Sequence, residues 1–286
     1  MLKKWSFGEN LTNVSKCLIK KIIMKILIFF ANNYIGGEYM YKYVDSLKNK
    51  FYEISNLGWV ENLSNGKGSV GITLEKLLNI NSNEFEVPDY EMMIELKSKS
   101  KYFNNKYPVS LFSATCDGES FYELRRIKDK YGLPIKEFNN RILFINLYAN
   151  KYSNIGNFYK GKLMMDYINK KIYFVIVNKR NQIIDKQAFW SFETLEKKIN
   201  RKLKYIAMVE VDRKIVNNIL FFNYRNISIY KIKDFNTFLY LIYNGTISIN
   251  VKIGIYKNGP RVGQTHDHGT SFQIFRSDFE KLFTKI

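Results

Sequence analysis

The chain has 286 residues, two histidines and two widely separated cysteines, Cys17 and Cys116, which argues against a histidine-rich zinc site, a CxxC metal site and a disulfide framework. Lysine and arginine number 45 against 26 aspartates and glutamates, so the formal net charge is +19. Such a surplus favours a polyanionic partner through phosphate contacts, although an AT-rich genome also enriches a sequence in lysine.

The first 39 residues differ in character from the rest. Their apolar segment, residues 18–31, is interrupted by Lys25 and is too short to span a bilayer, and no small-residue cleavage site of a signal peptide follows it. Gly36-Gly37-Glu38, just before Met40, can be encoded by GGA GGT GAA, a strong bacterial ribosome-binding sequence. We therefore expect residues 1–39 to be an untranslated or non-native extension and residues 40–286 to form a single domain.

The first predicted element of this domain is an amphipathic helix over residues 40–56. Its apolar residues share one helical face: Met40, Val44, Leu47, Phe51 and Ile54. A polar, glycine-rich loop at 58–71 leads to a second helix at 73–79, and a strand is predicted at 90–99.

Beyond residue 100 the patterns of strands and helices alternate. Helices are predicted at 192–200 and at 234–243, the second ending at Asn244-Gly245. A hairpin is predicted from two strands, 162–168 and 171–177. Further strands are predicted at 111–114, 139–148, 204–211, 247–256 and 270–275. The mixture predicts an α/β or α+β fold with a mixed sheet.

Pro88-Asp89 followed by Glu95-Leu96-Lys97 is the segment that indicates a chemistry. Asp89 ends a turn and Glu95 lies in the next strand, so both carboxylates can bind one magnesium ion (Mg2+). Lys97, two residues after Glu95, projects from the same face of the strand. There it can orient or help deprotonate an attacking water and offset phosphate charge. This layout is typical of magnesium-dependent phosphodiester cleavage.

A purely structural interpretation of this segment also exists, because Glu-x-Lys is often a solvated ion pair and Pro-Asp often only starts a turn. The setting favours the catalytic interpretation, since Ile94 and Leu96 are expected to point to the opposite, buried face. Glu75, on the preceding helix, is expected to add a carboxylate to the cleft or to assist from outside the metal shell. Glu91 is the alternative to Glu95, but it lacks a lysine two residues later.

Several segments, in the same order along the chain, resemble the MvaI/BcnI type II restriction endonucleases, relatives of the MutH-like nucleases in the PD-(D/E)xK superfamily. They are Gly58-Trp59, 68–78 (GSVGITLEKLL), 83–97 with PDY and IELK, 110–113, 189–193 (FWSFE), 203–207 (LKYIA), 251–256 and 263–274 (GQTHDHGTSFQI). The resemblance covers essentially residues 40–286, and residues 1–39 have no counterpart.

The resemblance implies a PD-(D/E)xK endonuclease fold, with a catalytic part at about 40–150 and a DNA-recognition part at about 160–286 around duplex DNA. Asp89, Glu95 and Lys97 match the catalytic acid, acid and lysine, with Asp89 and Glu95 as Mg2+ ligands, and Glu75 matches the glutamate of the LE segment. The gap from Asp89 to Glu95 is one residue longer than in a related member. A bulge at residues 91–93 is expected to absorb it.

The resemblance also implies a biological setting. It implies a monomer that cuts each DNA strand with Mg2+ and leaves a 5′-phosphate and a 3′-hydroxyl. Such an enzyme works in a restriction–modification system beside a DNA methyltransferase, with which no stable complex is expected. The two distant cysteines fit a reducing compartment, and a bacterial cytoplasm is expected.

Two C-terminal segments match the DNA-reading region of the family. The residues predicted to bind DNA are Asn250, Lys252, His266, Asp267, His268 and Gln273. We interpret residues 266–268 as a turn that bonds base edges or phosphates, and a turn that only holds the fold is the alternative. A member of the family carries an acid, an arginine and an arginine at the positions of Asn250, Lys252 and Gln273. Because arginine reads guanine whereas asparagine and glutamine suit adenine, a recognition site with fewer G·C pairs is predicted.

Two other functions are compatible with the same motifs. One is a MutH-like repair endonuclease that nicks DNA and needs partner proteins, which a lone enzyme cutting both strands would exclude. The other is a DNA-binding protein that has lost catalysis, and the retained acid–acid–lysine trio argues against it.

Overall fold

The computed structural model describes residues 37–66, 68–80, 87–100, 107–118 and 122–286. The chain divides into two compact units, Met1–Asn49 and Lys50–Ile286. The apolar segment 18–31 lies outside the described residues. So do residues 1–36 of the predicted extension and residues 83–86 of the family segment 83–97.

The described residues form helices and strands throughout. The helices are α1 (Gly37–Asn56), α2 (Ser69–Leu77), α3 (Glu123–Tyr131), α4 (Phe192–Lys202), α5 (Phe235–Tyr243) and α6 (Phe279–Leu282), with 3-10 turns at Lys136–Phe138 and Arg276–Asp278. The strands are β1 (Val60–Glu61), β2 (Glu95–Ser100), β3 (Val109–Ser113), β4 (Leu133–Ile135), β5 (Asn140–Leu147), β6 (Ser153–Ile155), β7 (Tyr159–Asp166), β8 (Lys171–Val177), β9 (Ile183–Asp185), β10 (Phe189–Ser191), β11 (Tyr205–Val216), β12 (Ile219–Ile232), β13 (Ile247–Ile255), β14 (Thr265–Ile274) and β15 (Phe283–Lys285).

Helix α1 has the amphipathic character that its sequence predicts. All of its predicted face residues are buried: Met40, Val44, Leu47, Phe51 and Ile54. Tyr41 and Tyr52 lie off this face and are exposed. The 3.6-residue spacing of apolar side chains is therefore a reliable signal in this part of the chain.

The described strands form three sheets, and the first of them holds Glu95 and Lys97. Its strand order is β1-β12-β11-β2, with β15 also paired to β12. Strand β2 runs parallel to β11, with Glu95 opposite Ile206 and Lys97 opposite Met208, whereas β11 and β12 are antiparallel. The sheet is therefore mixed, and the predicted α+β class is confirmed.

The second and third sheets are antiparallel, and neither of them includes β2. The second has the order β10-β8-β7-β6 with β9 paired to β8, and its β7–β8 pair confirms the predicted hairpin. The third has the order β3-β14-β13-β5-β4 and contains the predicted DNA-reading segments.

One hydrophobic core joins these two sheets. The fully buried Trp190 of β10 donates a hydrogen bond from Nε1 to the Ala114 carbonyl, at 3.2 Å. Its ring meets Phe272 of β14 edge to face, with centroids 6.0 Å apart, and Phe272 stacks on Phe112 of β3 at 4.7 Å. Large aromatic side chains thus lock β14, and with it the third sheet, in one position.

The sequence patterns missed helix α3. Its apolar stripe is short, Leu124, Ile127 and Tyr131, and two other buried positions carry charges, Glu123 and Lys128. The Lys128 ammonium is satisfied by Asn140 Oδ1 and Thr265 Oγ1, both at 2.8 Å, which ties α3 to the start of β14. Long-range partners make this burial possible, and local sequence does not indicate them.

The predicted catalytic part, 40–150, and recognition part, 160–286, do not correspond to separate sheets. The first sheet takes β2 from the earlier part and β11 and β12 from the later one. The third sheet takes β3 and β5 from the earlier part and β13 and β14 from the later one. The assignment of one task to each part therefore stays a prediction.

The close packing of the backbone around Gly132, between α3 and β4, can be tested by substitution. A Cβ atom there would lie 2.4 Å from the Lys128 carbonyl oxygen and 2.6 Å from that of Ile142. Since both atoms belong to the backbone, Gly132→Ala should lower the free energy of unfolding by about 3 kcal/mol, measured by urea denaturation.

Gly71→Ala is the matched control for stability. Its Cβ would lie 3.5 Å from Ser98 Oγ, an ordinary contact, and alanine favours the helix by about 0.5–1 kcal/mol. Equal destabilisation by the two substitutions would contradict the packing described for Gly132.

Candidate active site and nucleic-acid interface

A tight turn lies between Asp89 and Glu95, directly before β2. Tyr90 is buried, and its amide donates to the Ile94 carbonyl at 2.9 Å, while Met93 N donates to Tyr90 O at 2.9 Å. Glu91 and Met92 between them both have positive φ, 49° and 57°, as a type I′ turn requires. The predicted bulge at 91–93 is therefore wrong, and β2 begins at Glu95 rather than at residue 90.

This turn places the Asp89 carboxylate beside the strand. Its Oδ2 accepts a hydrogen bond of 2.8 Å from the amide of Leu96, the residue between Glu95 and Lys97. Asp89 is half-buried; burial raises the pKa of both Glu95 and Glu75, and the negative charge of Asp89 raises it further. The carboxylate is thus held at the start of β2 and lies close enough to two others to affect their protonation.

Glu95 is buried and is flanked by two lysines. Lys97 Nζ lies 2.5 Å from Oε1, and Lys202 Nζ lies 3.7 Å from Oε2. Burial raises the pKa of Glu95, Asp89 adds to this, and the two lysines oppose it. Within the described residues, Oε2 has no hydrogen-bond partner although it is buried.

Glu75 reaches the same place from α2. Burial raises the pKa of its carboxyl, the charge of Asp89 adds to the increase, and the charge of Lys97 opposes it. Gly71, one turn earlier in the helix, faces Ser98 of β2, which shows how closely α2 packs on this strand. All four residues predicted to be catalytic, Glu75, Asp89, Glu95 and Lys97, therefore lie together. Their roles remain predictions.

The carboxylates of Asp89 and Glu95 fit a hard divalent cation. Oε2 of Glu95 is a buried acceptor that receives no hydrogen bond from the described part of the chain, and oxygen ligands are those that magnesium prefers. No cluster of three or more His, Cys, Asp or Glu side chains that could hold a metal occurs among the described residues. Magnesium sites in proteins commonly use one or two carboxylates together with water and substrate phosphate oxygens.

The residues predicted to read DNA all lie on the antiparallel pair β13–β14. Asn250 is paired with Ser271 on one side and with Asn146 of β5 on the other, and its Nδ2 donates to Asn146 Oδ1. Lys252 is exposed opposite Phe144, and Gln273 Nε2 donates to Ser271 Oγ at 2.8 Å. Polar side chains therefore cover this face of the sheet, while Val251 and Ile253 point into the core.

His266, Asp267 and His268 lie in β14, which begins at Thr265, so the predicted turn is wrong. The pairing of β13 with β14 is irregular between Val251 and Ile253, and Gly269 has a φ of 87°, which explains the turn-like sequence. Asp267 Oδ1 accepts a hydrogen bond from the Gly269 amide at 2.8 Å, a local contact within the strand.

The two imidazoles belong to a stack of rings. The His266 ring is parallel to the Tyr256 ring, with centroids 4.1 Å apart. The His268 ring is tilted against the His266 ring, with centroids 3.9 Å apart. The Arg261 guanidinium lies over Tyr256 at 4.2 Å. This stack holds both histidines in fixed positions at one end of the polar face.

Sequence reasoning missed several residues of these two surfaces. They are Lys202 beside Glu95, Phe144 and Asn146 on β5, and Tyr256 and Arg261 of the ring stack. Lys202 lies far along the chain from Glu95, and strand pairing brings Phe144 and Asn146 of β5 beside β13. Tyr256 and Arg261 lie between β13 and β14, and their contacts depend on how that connection folds. The alternation of side chains along β5, which turns Phe144 and Asn146 to the exposed face, was the one local signal.

Comparison with known proteins identifies the chain. The family model of the MvaI/BcnI restriction endonuclease family matches residues 48–283, more than half of the chain. The chain belongs to the MvaI/BcnI restriction endonuclease family. It is a DNA-cleaving type II restriction endonuclease, as its sequence predicts. No curated protein gave a match.

Two solved structures are similar over most of this chain. "Restriction endonuclease MvaI-cognate DNA substrate complex" shares 26% identity and a TM-score of 0.77, covering 85% of this chain and 97% of that one. "Restriction endonuclease MvaI in the absence of DNA" shares 25% identity and a TM-score of 0.56, covering 85% and 96%. The predicted restriction-endonuclease fold is thereby confirmed. In the described part of the chain, no helix has the length and apolarity needed to cross a membrane.

The raised pKa of Glu95 generates a prediction about stability. A carboxyl whose pKa is raised above its ordinary value of 4.5 binds its proton more tightly in the folded state than in the unfolded state. Its contribution to stability is present below the unfolded pKa and is lost as the pH rises through the folded pKa. In chelator, Glu95→Gln should therefore gain stability relative to the unmodified protein as the pH rises from about 4 towards 8.

Urea denaturation at a series of pH values measures this difference. Glu196→Gln, an exposed carboxylate on α4, is the control and should change the free energy of unfolding by less than about 0.5 kcal/mol. A stability difference for Glu95→Gln that stays constant with pH would be inconsistent with a raised pKa.

Proposed function

We propose that this protein is a magnesium-dependent type II endonuclease that hydrolyses duplex DNA at a short recognition sequence. The observation that carries the proposal is the convergence of Glu75, Asp89, Glu95 and Lys97, with Oε2 of Glu95 buried and without a hydrogen bond from any described residue. Restriction endonucleases generally use divalent metal ions, which supports the assignment of the two carboxylates. The products are a 5′-phosphate and a 3′-hydroxyl.

In this reaction the water oxygen bonds to phosphorus and the bond from phosphorus to the 3′-oxygen breaks. Asp89 and Glu95 would hold the ion, which neutralises phosphate charge and makes water more acidic when bound. Lys97 orients the attacking water and stabilises the charge that develops on the phosphate oxygens. Glu75 supports the site through its position beside Asp89 and Lys97.

Duplex DNA is the proposed partner, and the polar face of β13 and β14 is the proposed reading surface. The net charge of +19 favours binding to phosphates, and the similar MvaI structure is a complex with cognate DNA. Asn250, Lys252, His266, His268 and Gln273 are proposed to contact bases or phosphates, with Asp267 fixing the local backbone. The enzyme acts as a monomer in the bacterial cytoplasm, and a DNA methyltransferase modifies the same sequence without forming a stable complex with it.

Asp89→Ala tests the catalytic assignment. The substitution removes a proposed metal ligand, so single-turnover cleavage with Mg2+ should fall by about 10³-fold or more, whereas DNA binding in chelator should persist. Glu91→Gln is the control, because Glu91 is an exposed carboxylate two residues away. Loss of cleavage in Glu91→Gln with full activity in Asp89→Ala would overturn the assignment. Ligation of the cut ends without a kinase step tests for the 5′-phosphate.

The sequence that the enzyme reads is also open to test. Asparagine and glutamine at positions 250 and 273 suit adenine, so the site should contain fewer G·C pairs than the usual family site. Digestion of mixed-sequence DNA, followed by sequencing of the ends, reveals it. Cleavage at a site with outer G·C pairs around one degenerate central pair would contradict the prediction. Gln273→Arg should shift preference towards guanine at one position.

A further inference from the structure

A cleft beside the second half of β7 is lined by none of the residues proposed to cut or to read DNA. It has a volume of about 650 Å³, and its lining includes three tyrosines, Tyr167, Tyr240 and Tyr243, together with Met164 and Lys162. The three tyrosines are 55%, 61% and 58% exposed. Large aromatic side chains that keep this much surface in solvent indicate an interaction site rather than a part of the core.

Two packed elements hold the tyrosines in place. Tyr240 and Tyr243 lie three residues apart on α5 and are therefore neighbours on its surface, while Ile242 between them is fully buried. Tyr167 follows β7, and its ring meets that of Phe192 edge to face, with centroids 5.8 Å apart. Burial raises the pKa of Tyr167, and the nearby Tyr243 raises it further. The cleft thus presents its aromatic rings in fixed positions and close to one another.

Lysine ammonium groups lie over aromatic rings across the outer face of the second sheet, the face turned away from the core. Lys162, which also lines the cleft, has its Nζ 5.1 Å from the Tyr152 ring centroid. Three more lysines are placed in the same way, at 5.7, 4.0 and 4.2 Å from a ring centroid: Lys160 over Tyr152, Lys171 over Phe189 and Lys186 over Tyr173. Packing on a ring fixes where each ammonium lies and leaves its charge in place.

The charge of this lysine face is positive. Asp166 and Asp117 adjoin it, but Asn169 donates two hydrogen bonds of 2.9 Å to Asp166, and Ser191 donates two, of 2.8 and 2.9 Å, to Asp117. The four lysines outnumber these acids, which favours a polyanion as the partner. The same charge argues against a second copy of this chain, whose own net charge is +19.

The lysine face and the proposed reading face lie on opposite sides of the core that the second and third sheets share. Gly161, between two of the lysines on β7, faces inwards, and a Cβ atom there would lie 2.8 Å from Cδ1 of Ile145 on β5. The next residue of β5, Asn146, points outwards and pairs with Asn250 of the reading face. A ligand on the lysine face therefore leaves the reading face open to a duplex.

The combination of exposed rings and lysines favours a single strand over a duplex as the ligand. A duplex keeps its bases stacked inside, so it offers phosphates but no free base faces to the tyrosines. A single strand offers both, and proteins that bind single strands combine a basic surface with aromatic side chains on which the bases stack. Because this enzyme acts on DNA, the strand that it meets is DNA.

We propose that the cleft and the lysine face together form a binding surface for single-stranded DNA, separate from the surface that reads the duplex. The bases stack on Tyr167, Tyr240 and Tyr243, and the phosphates contact the lysines, starting at Lys162. Binding needs neither a metal ion nor the carboxylates of the proposed active site. The protein then holds a duplex on one side of the shared core and an unpaired strand on the other.

Fluorescence anisotropy in EDTA tests the tyrosines, with a fluorescein-labelled oligothymidylate of about 20 nucleotides as the probe. Tyr240→Ala removes one stacking ring, so binding should weaken about tenfold, whereas Tyr240→Phe keeps the ring and should bind as the unmodified protein does. Tyr52→Ala is the matched control, because it removes a tyrosine of α1 that is 59% exposed. If Tyr240→Ala does not fold, Tyr243→Ala gives the same test.

The salt dependence of probe binding tests the lysines. Loss of one phosphate contact to a single strand should make the slope of log K against log salt concentration smaller by about 0.7. Lys162→Gln should show this change, and Lys162→Arg should restore the slope. Lys214→Gln is the control, because Lys214 also lies over a ring, 4.3 Å from the Trp59 centroid, but belongs to β11 of the first sheet.

Competition with an unlabelled duplex tests whether the two surfaces are separate. With an equimolar duplex that contains the cleaved sequence, the affinity for the probe should change less than about threefold, since the two ligands lie on opposite sides of the core and salt screens their repulsion. Displacement of the probe by the duplex would overturn the proposal. So would unchanged binding in both Tyr240→Ala and Tyr243→Ala.

Two further probes check the identity of the ligand. Thymidine monophosphate should bind far more weakly than the oligothymidylate, because it makes one stack and one phosphate contact; equal affinity would show a nucleotide pocket and contradict a strand-binding surface. Tighter binding of an oligouridylate of the same length would assign the surface to RNA instead. Probe binding in EDTA requires no cleavage, so it tests this surface even if the proposed catalysis fails.

Discussion

The parallel pairing of β2 with β11 is the constraint on which the candidate site depends. It places Ile206 beside Glu95 and Met208 beside Lys97, and so brings the end of α4 to the start of β2. A parallel pair needs a long connection, and here that connection contains the second sheet and most of the third. The strands of the site are therefore adjacent in space and separated by about a hundred residues in the chain.

Buried carboxylates make this site costly to fold. Glu95 is buried, Glu75 and Asp89 lie nearby, and burial together with mutual repulsion raises the pKa of both glutamates. Such clusters are common where a protein must bind a cation, because the charge that destabilises the empty site is the charge that binds the ligand. The two lysines limit the cost without removing it, since Oε2 of Glu95 remains without a hydrogen bond among the described residues.

The proposed reading face, the outer face of β13 and β14, is supported by an aromatic core beneath it. Its strands are held from below by Trp190, Phe112 and Phe272, so side chains on the outer face have a fixed base. Gly254 allows the close approach of rings above it, because a Cβ there would lie 3.0 Å from Phe144 Cζ and 3.2 Å from His268 Nε2. A face with amide, imidazole and aromatic groups at set positions suits the reading of base edges more than the mere attraction of phosphates.

The sequence by itself determined most elements, the mixed α+β class, the family, and the clustering of Glu75, Asp89, Glu95 and Lys97. The elements and the class follow from local periodicity, and the cluster from short spacings, which a single chain displays directly. The family follows from the resemblance of several segments in the same order along the chain. The turn at Glu91 and Met92, the place of His266 and His268 inside β14, and the position of Lys202 were decided only by the tertiary structure. The last two depend on strand register, which places His266 beside Gly254 and Ile206 beside Glu95, and no local pattern encodes a register. The turn closes locally between Tyr90 and Met93, but it places the non-glycine residues Glu91 and Met92 at positive φ, a conformation that their residue types do not favour.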